Sequence, residues 1–144
     1  PGYSELAIAS FVRANDVDPN HLPSLNELGI SYRERKKPGD IDLAIATFEK
    51  AIAIEPENVR VLTETGKTYS YKRDLKNAVL YCEKAIKIDP FNMQSYTILY
   101  KAYFNSNQLS EAINVVKRGL KLKPKDKILV SIKEDLISSN RWVE

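Results

Sequence analysis

The sequence predicts an all-α fold in which pairs of antiparallel helices stack on one another in series. Three features carry this prediction: a set of prolines, a set of alanines, and the short turn sequence around each proline all recur every 34 residues. The prolines are Pro56, Pro90 and Pro124, and the alanines are Ala44, Ala78 and Ala112. Between the prolines, apolar residues recur at helical spacing in two runs separated by a short polar turn. Such short helix pairs cannot bury their apolar faces alone, so the copies are expected to pack together.

The composition is that of one globular domain. The chain has 144 residues, and its 43% hydrophobic and 28% charged content excludes a disordered tail. No apolar run approaches the ~20 residues needed to cross a bilayer. No signal sequence opens the chain, which favours a cytoplasmic location. A net charge of +3 does not by itself indicate nucleic-acid binding.

The 34-residue period divides this single domain, residues 1–144, into five units. The predicted units are the second half of a repeat (3–21), three full repeats (22–58, 59–92 and 93–126), and a first half or capping helix (127–144). This gives about eight helices, and it predicts that the chain is a fragment of a longer protein. The first full repeat carries three extra residues in Lys36–Gly39, where Pro38 and Gly39 predict a protruding loop.

Short polar residues mark the expected helix starts, because their side chains can accept hydrogen bonds from free backbone N–H groups. For the first helices of the pairs, the expected caps are Asn58, Asn92, Asp126 and a capping box of Ser24 with Glu27. For the second helices, they are Asp40, Asp74 and Asn107.

The repeat resembles the tetratricopeptide repeat (TPR). Its pattern of W-x2-L-G-x2-Y, A-x3-F and P is matched, apart from the tryptophan, by Leu25, Leu28, Gly29, Tyr32, Ala44, Phe48 and Pro56. The resemblance implies a right-handed α-α superhelix, a TPR solenoid, whose concave wall is lined by the first helix of each pair and holds a peptide segment. Thr65 departs from the leucine of the pattern, and Tyr100 departs from its glycine. Tyr100 is expected either to splay the third repeat or to lean outward.

The resemblance and the helical period together select the residues expected on the concave wall. They are Asn26, Arg33, Arg60, Thr63, Lys67, Tyr71, Gln94, Thr97, Lys101 and Phe104. Four are basic and two are aromatic, which suits a protein or peptide partner with acidic side chains and an apolar anchor. The alternative interpretation is an ordinary solvated face.

One more specific partner is not expected. Members of the family that bind Hsp70 or Hsp90 tails carry a clamp of lysine, asparagine and arginine for the terminal carboxylate. The matching positions here hold Asn26, Ile30, Glu64, Gln94 and Ile98. The sequence therefore predicts no Hsp70/Hsp90 carboxylate clamp.

The sequence shows no catalytic residues, metal ligands or cofactor site, so we predict that the chain is not an enzyme. Cys82 takes the aromatic position of the A-x3-F motif and is expected to be buried and inert. His21 is the only histidine, which leaves no set of zinc ligands.

The predicted function is a non-enzymatic protein–protein interaction scaffold or adaptor that presents a partly basic groove. The alternative is a docking or regulatory region of a larger enzyme. Two further features remain open. The basic stretch Lys117–Lys127 either complements a helix dipole or contacts an acidic partner, RNA or a membrane surface. The apolar ends of the solenoid are expected to self-associate or bind another segment, unless Trp142 folds back as a cap.

Overall fold

The chain is an all-α solenoid, as the period predicts. A computed structural model describes residues 2–143, with side chains from residue 5 onward. Within residues 2–143 it contains eight α-helices and no strand. The helices are α1 (Gly2–Val17), α2 (Leu22–Arg35), α3 (Asp40–Ile54), α4 (Val59–Tyr71), α5 (Leu75–Ile88), α6 (Met93–Asn105), α7 (Leu109–Leu122) and α8 (Lys127–Ser138). Pro1 and Glu144, the outer limits of the predicted domain, lie outside the described residues. None of the described helices is both long and apolar enough to span a bilayer.

Four of the expected helix caps are confirmed. The side-chain oxygens of Asn58, Asn92, Asp126 and Asp74 accept hydrogen bonds from backbone N–H groups three residues ahead, at 3.1–3.2 Å. In the first three cases the preceding proline cannot continue a helix, so one helix ends and the next begins within four residues. Local sequence alone therefore sets most of the boundaries.

Two other expected caps are wrong. Helix α2 begins at Leu22, and the Nδ1 atom of His21 accepts a hydrogen bond from the backbone N–H of Ser24 at 3.3 Å. Pro23 fits the first turn of a helix, so Ser24 lies inside α2 instead of capping it. Asn107 has a φ of +58° and closes the end of α6, a conformation that asparagine tolerates. The residue before α7 is therefore Gln108, whose side chain makes no cap bond.

The inserted loop is held by Asp40, which does not cap α3 as expected. Its carboxylate accepts hydrogen bonds from Arg35 Nε and the Lys37 backbone N–H, both at 2.8 Å, and the side chain is buried. Arg35 also lies 3.0 Å from Glu5 of α1, and Lys37 forms an ion pair with Glu5. A charged guanidinium is a stronger donor than a neutral amide. The network therefore ties the loop to both α1 and α2.

This network predicts a loss of stability in acid. The hydrogen bond from Arg35 holds the pKa of Asp40 below its usual range. Because the folded-state pKa is depressed, the stabilisation is complete above the unfolded value of about 4 and is lost as the pH falls through the folded-state pKa. Across this acid range, the free energy of unfolding of Asp40→Asn, measured with urea, is expected to change less with pH than that of the native chain. The control is Asp16→Asn on the exposed face of α1, and a parallel pH dependence for Asp40→Asn and the native chain would contradict the prediction.

Small residues allow the paired helices to approach closely. Ala44, Ala78 and Ala112 are fully buried. A Cβ atom added to Gly29 would lie 2.7 Å from the Phe48 ring. A Cβ atom added to Gly66 would lie 2.5 Å from Cys82 Sγ. Burial raises the pKa of Cys82 to about 12, so its thiol stays protonated and packs as an apolar group, as expected.

Tyr100 does not lean outward into solvent, but α6 and α7 pack less closely than the helices of the two preceding pairs, as a splayed third repeat predicts. The Tyr100 ring is partly buried against the core cluster that contains Leu99 and Val116. Val116 and Ala112 remain fully buried beside it. The smaller Val116 occupies the position of Phe48 in the first full repeat, which offsets part of the volume that tyrosine adds at the glycine position.

The last turn of the chain covers the outer end of the solenoid. The backbone N–H of Trp142 donates to the Leu136 carbonyl at 3.1 Å. The indole packs partly buried against the core, with the ammonium groups of Lys117 and Lys133 at 5.4 and 5.1 Å from its ring centroid. The structure thus supports the cap interpretation of Trp142.

Candidate partner-binding cleft between α4 and α6

The first helices of the three pairs form one wall of the solenoid. Helix α4 packs beside both α2 and α6, although each is separated from it in sequence by an intervening helix. Between α4 and α6 this wall contains a cleft of about 330 Å³. The lining residues are Lys67, Ser70, Tyr71, Gln94, Thr97, Ile98, Lys101 and Asn105.

The structure brings together five of the ten residues selected from sequence. Lys67, Tyr71, Gln94, Thr97 and Lys101 all line this cleft. Lys67 and Lys101 occupy the same position in consecutive repeats, 34 residues apart. The repeat therefore places two ammonium groups on neighbouring helices that face one opening.

The cleft is positively charged. Neither Lys67 nor Lys101 forms an ion pair with any residue of the described chain, 5–143. The nearby carboxylate of Glu64 is engaged, because it lies 2.7 Å from Arg33 Nη1 and accepts a hydrogen bond from Gln94 Nε2 at 3.4 Å. Two unpaired cations on one wall favour an anionic ligand.

The same cleft offers apolar surface. Ile98 is buried at its floor, and the Tyr71 ring at its margin is 53% exposed. The hydroxyl of Thr97 is occupied, since it donates to the Met93 carbonyl at 3.2 Å. The cleft thus combines two ammonium groups with apolar surface from Ile98 and Tyr71.

Three of the residues expected on the open wall are buried, so that prediction is wrong for them. Asn26, Arg33 and Thr63 are only 3%, 2% and 1% exposed. Arg33 contacts Thr68 of the neighbouring first helix α4, and Thr63 contacts Ser95 of the neighbouring first helix α6. The helical period shows which side chains point away from the partner helix of the same pair. It does not show which of them a helix of the next pair covers.

Arg33 forms a buried connection between α2 and α4. Its guanidinium lies 2.7 Å from the Glu64 carboxylate and donates to the Thr68 hydroxyl at 3.1 Å. The Tyr71 ring lies 5.9 Å away. Arg33 therefore orients Glu64 and Tyr71 beside the cleft without itself facing an occupant.

The remaining two predicted residues lie outside the cleft. Arg60 is 67% exposed, and its guanidinium lies 2.5 Å from Glu27. The Phe104 ring packs against Tyr100 at 5.5 Å and under the Arg141 guanidinium at 5.7 Å. Arg60 is thus neutralised, and Phe104 is partly covered by the end of the chain.

Sequence reasoning did not place Ile98 in the site, because a buried isoleucine on a first helix is indistinguishable from core. Ser70 and Asn105 also line the cleft, and the helical period does place both of them facing away from their own helix pairs. No group of three potential metal ligands occurs among the described residues. His21 instead lies 2.6 Å from Ser24 Oγ at the start of α2.

Comparison with known proteins agrees with the fold. A family model described as tetratricopeptide repeat matches residues 24–58 and 59–92. No curated protein matches the chain by sequence.

Several solved structures are similar to this chain, and three of them are from different proteins. A thermophilic TPR protein of Thermus thermophilus is 17% identical over 90% of this chain and 71% of its own, with a TM-score of 0.79. MamA from Desulfovibrio magneticus RS-1 is 19% identical over 97% and 78%, with a TM-score of 0.77. The first TPR of Spaghetti (RPAP3), solved with the HSP90 peptide SRMEEVD, is 21% identical over 84% and 96%, with a TM-score of 0.70. At these identities the likeness shows a shared fold.

Proposed function

We propose that this chain, in which residues 24–58 and 59–92 match the tetratricopeptide-repeat family model, is a non-enzymatic interaction scaffold whose α4–α6 cleft binds an acidic segment of a partner protein. The observation that carries the proposal is the pair of unpaired lysines, Lys67 and Lys101, on either side of a cleft with a buried apolar floor. An anionic group gains attraction from both ammonium groups, and an apolar side chain gains burial at Ile98.

The spacing of the lysines favours a particular pattern in the partner. Adjacent packed helices lie about 8–10 Å apart, and an extended peptide advances about 3.3 Å per residue. Two acidic residues that are two or three positions apart therefore match the two lysines. An apolar residue between them would face Ile98 and Tyr71.

The RPAP3 domain provides a precedent for an acidic ligand on this fold, since its structure contains the peptide SRMEEVD. The present chain differs at the positions of the carboxylate clamp. Asn26 is buried, Ile30 is apolar, and Glu64 is an acid already held by Arg33. The proposed ligand is consequently an internal acidic segment and not an Hsp70 or Hsp90 tail.

A peptide-display selection tests this proposal. The native chain is expected to enrich peptides in which acidic residues flank an apolar one. Lys67→Glu/Lys101→Glu is expected to bind the enriched peptide at least about tenfold more weakly, because exposed charge pairs contribute up to ~1 kcal/mol each. Isothermal titration measures the affinity.

The control is Lys50→Glu/Lys76→Glu, which makes the same change in net charge at exposed positions of α3 and α5, away from the cleft. Its affinity is expected to stay close to the native value. Equal losses in the two double variants would show that only overall charge matters and would refute the cleft as the site.

A further inference from the structure

The turns that join one helix pair to the next differ sharply in charge along the solenoid. At the equivalent positions of the α3–α4 and α7–α8 turns, Glu55 and Glu57 are replaced by Lys123 and Lys125. The two turns nevertheless have the same fold, with a proline between these residues and a capping side chain after them. The fold therefore does not require lysines at the α7–α8 turn.

A helix dipole does not explain the lysines either. Cations are favourable near the C-terminus of a helix and unfavourable near its N-terminus. Lys121 lies in the last turn of α7, but Lys127 is the first residue of α8 and Lys125 immediately precedes the α8 cap. Some of the basic residues thus lie where the local backbone opposes them.

The α5–α6 and α7–α8 turns lie along one edge of the molecule. Arg118 of α7 donates two hydrogen bonds to the Glu83 carboxylate of α5, at 2.6 and 2.9 Å, so side chains of these two helices meet near this edge. One turn further along each helix, Lys87 and Lys121 project on that same face. We use the name lysine edge for Lys87, Lys121, Lys123, Lys125 and Lys127, all of which are exposed.

The lysine edge keeps most of its charge. Lys123 lies 3.5 Å from Asp126, but the other four lysines form no ion pair within residues 5–143. The acidic residues nearby are structural, since Asp126 caps α8 and Asp89 accepts the Phe91 backbone N–H at 3.0 Å.

Large apolar side chains are exposed between these lysines. Phe91 and Ile128 are 65% and 58% exposed, and Ile88 and Leu122 are also open to solvent. Contact with hydrated phosphate groups would leave these apolar side chains exposed to water. Insertion into the interfacial region of a bilayer would bury them, which is favourable. The lysines are of the type that attracts anionic lipid headgroups, while nucleic-acid recognition favours arginine.

We propose that the lysine edge, together with Phe91 and Ile128, docks the molecule onto an anionic lipid bilayer. The lysines lie among the headgroups and the apolar side chains enter the interface between them. This surface is formed by the α5–α6 and α7–α8 turns and the helix ends that flank them, and none of its residues lines the α4–α6 cleft.

Vesicle co-sedimentation of the full chain tests the docking surface. Binding is expected to vesicles that contain phosphatidylserine and not to vesicles of phosphatidylcholine alone. Lys121→Glu/Lys125→Glu is expected to reduce the partition coefficient at least about 30-fold, since each lysine near the surface contributes about fivefold. Phe91→Ser is expected to reduce it roughly tenfold through lost apolar burial.

Lys50→Glu/Lys76→Glu is the matched control and is expected to retain most of the binding. Equal losses in the two charge-reversed variants would overturn the proposal, as would a native chain that does not bind phosphatidylserine vesicles. Tighter binding to a single-stranded oligonucleotide than to the vesicles at the same ionic strength would identify nucleic acid as the partner and would also overturn it.

Discussion

Replacing Arg33 with methionine is expected to lower the free energy of unfolding by about 3–5 kcal/mol. The substitution leaves the carboxylate of Glu64 without its counter-charge in the seam between α2 and α4, where Arg33 Nη1 lies 2.7 Å away. It also removes the donor to the Thr68 hydroxyl. Urea unfolding measured by circular dichroism gives the difference in unfolding free energy.

The control is Arg60→Met, which removes an arginine from the same wall of helices. Arg60 is exposed, and its ion pair with Glu27 is surrounded by water, so the expected loss is below about 1 kcal/mol. Replacing both buried partners, in Arg33→Met/Glu64→Leu, is expected to recover much of the loss because no charge is left uncompensated. Similar small losses for Arg33→Met and Arg60→Met would contradict a buried connection.

Replacing Ala78 with leucine is expected to destabilise the fold by about 1–3 kcal/mol through overpacking. Ala78 is fully buried between α5 and α4, and its carbonyl oxygen would lie only 3.3 Å from a Cβ atom at Gly66. The added carbon atoms have no space there unless the two helices separate. Thermal unfolding of the variant should show a melting temperature several degrees below the native value.

Lys76→Leu is the matched control, since it introduces the same side chain on an exposed position of the same helix, two residues away. Its effect on the melting temperature is expected to be small. Equal effects of Ala78→Leu and Lys76→Leu would mean that the assignment of the buried and exposed faces of α5 is wrong.

Most helix boundaries followed from local sequence, because a proline ends one helix and Asn58, Asn92 or Asp126 caps the next. The misplaced boundaries have tertiary or conformational causes. The Asp40 carboxylate accepts a hydrogen bond from Arg35 and does not cap α3. This interaction depends on the fold of the inserted loop. Asn107 adopts a left-handed conformation to end α6, which its residue type permits but does not require.

Part of the candidate site was predictable from the 34-residue repeat. Lys67 and Lys101 were found because their positions repeat after 34 residues and face away from their own helix pair. Arg33 was misassigned because a neighbouring first helix covers it, and that contact is a property of the stack and not of one repeat. Ile98 was missed because its burial resembles that of core residues.

A nuclear magnetic resonance titration of the ¹⁵N-labelled chain with a display-selected acidic peptide measures most directly where a partner binds. The α4–α6 cleft predicts that the largest changes in amide chemical shift fall at Lys67, Tyr71, Thr97 and Lys101. Changes confined to the lysine edge or to α1, with none between α4 and α6, would contradict the cleft as the partner-binding site.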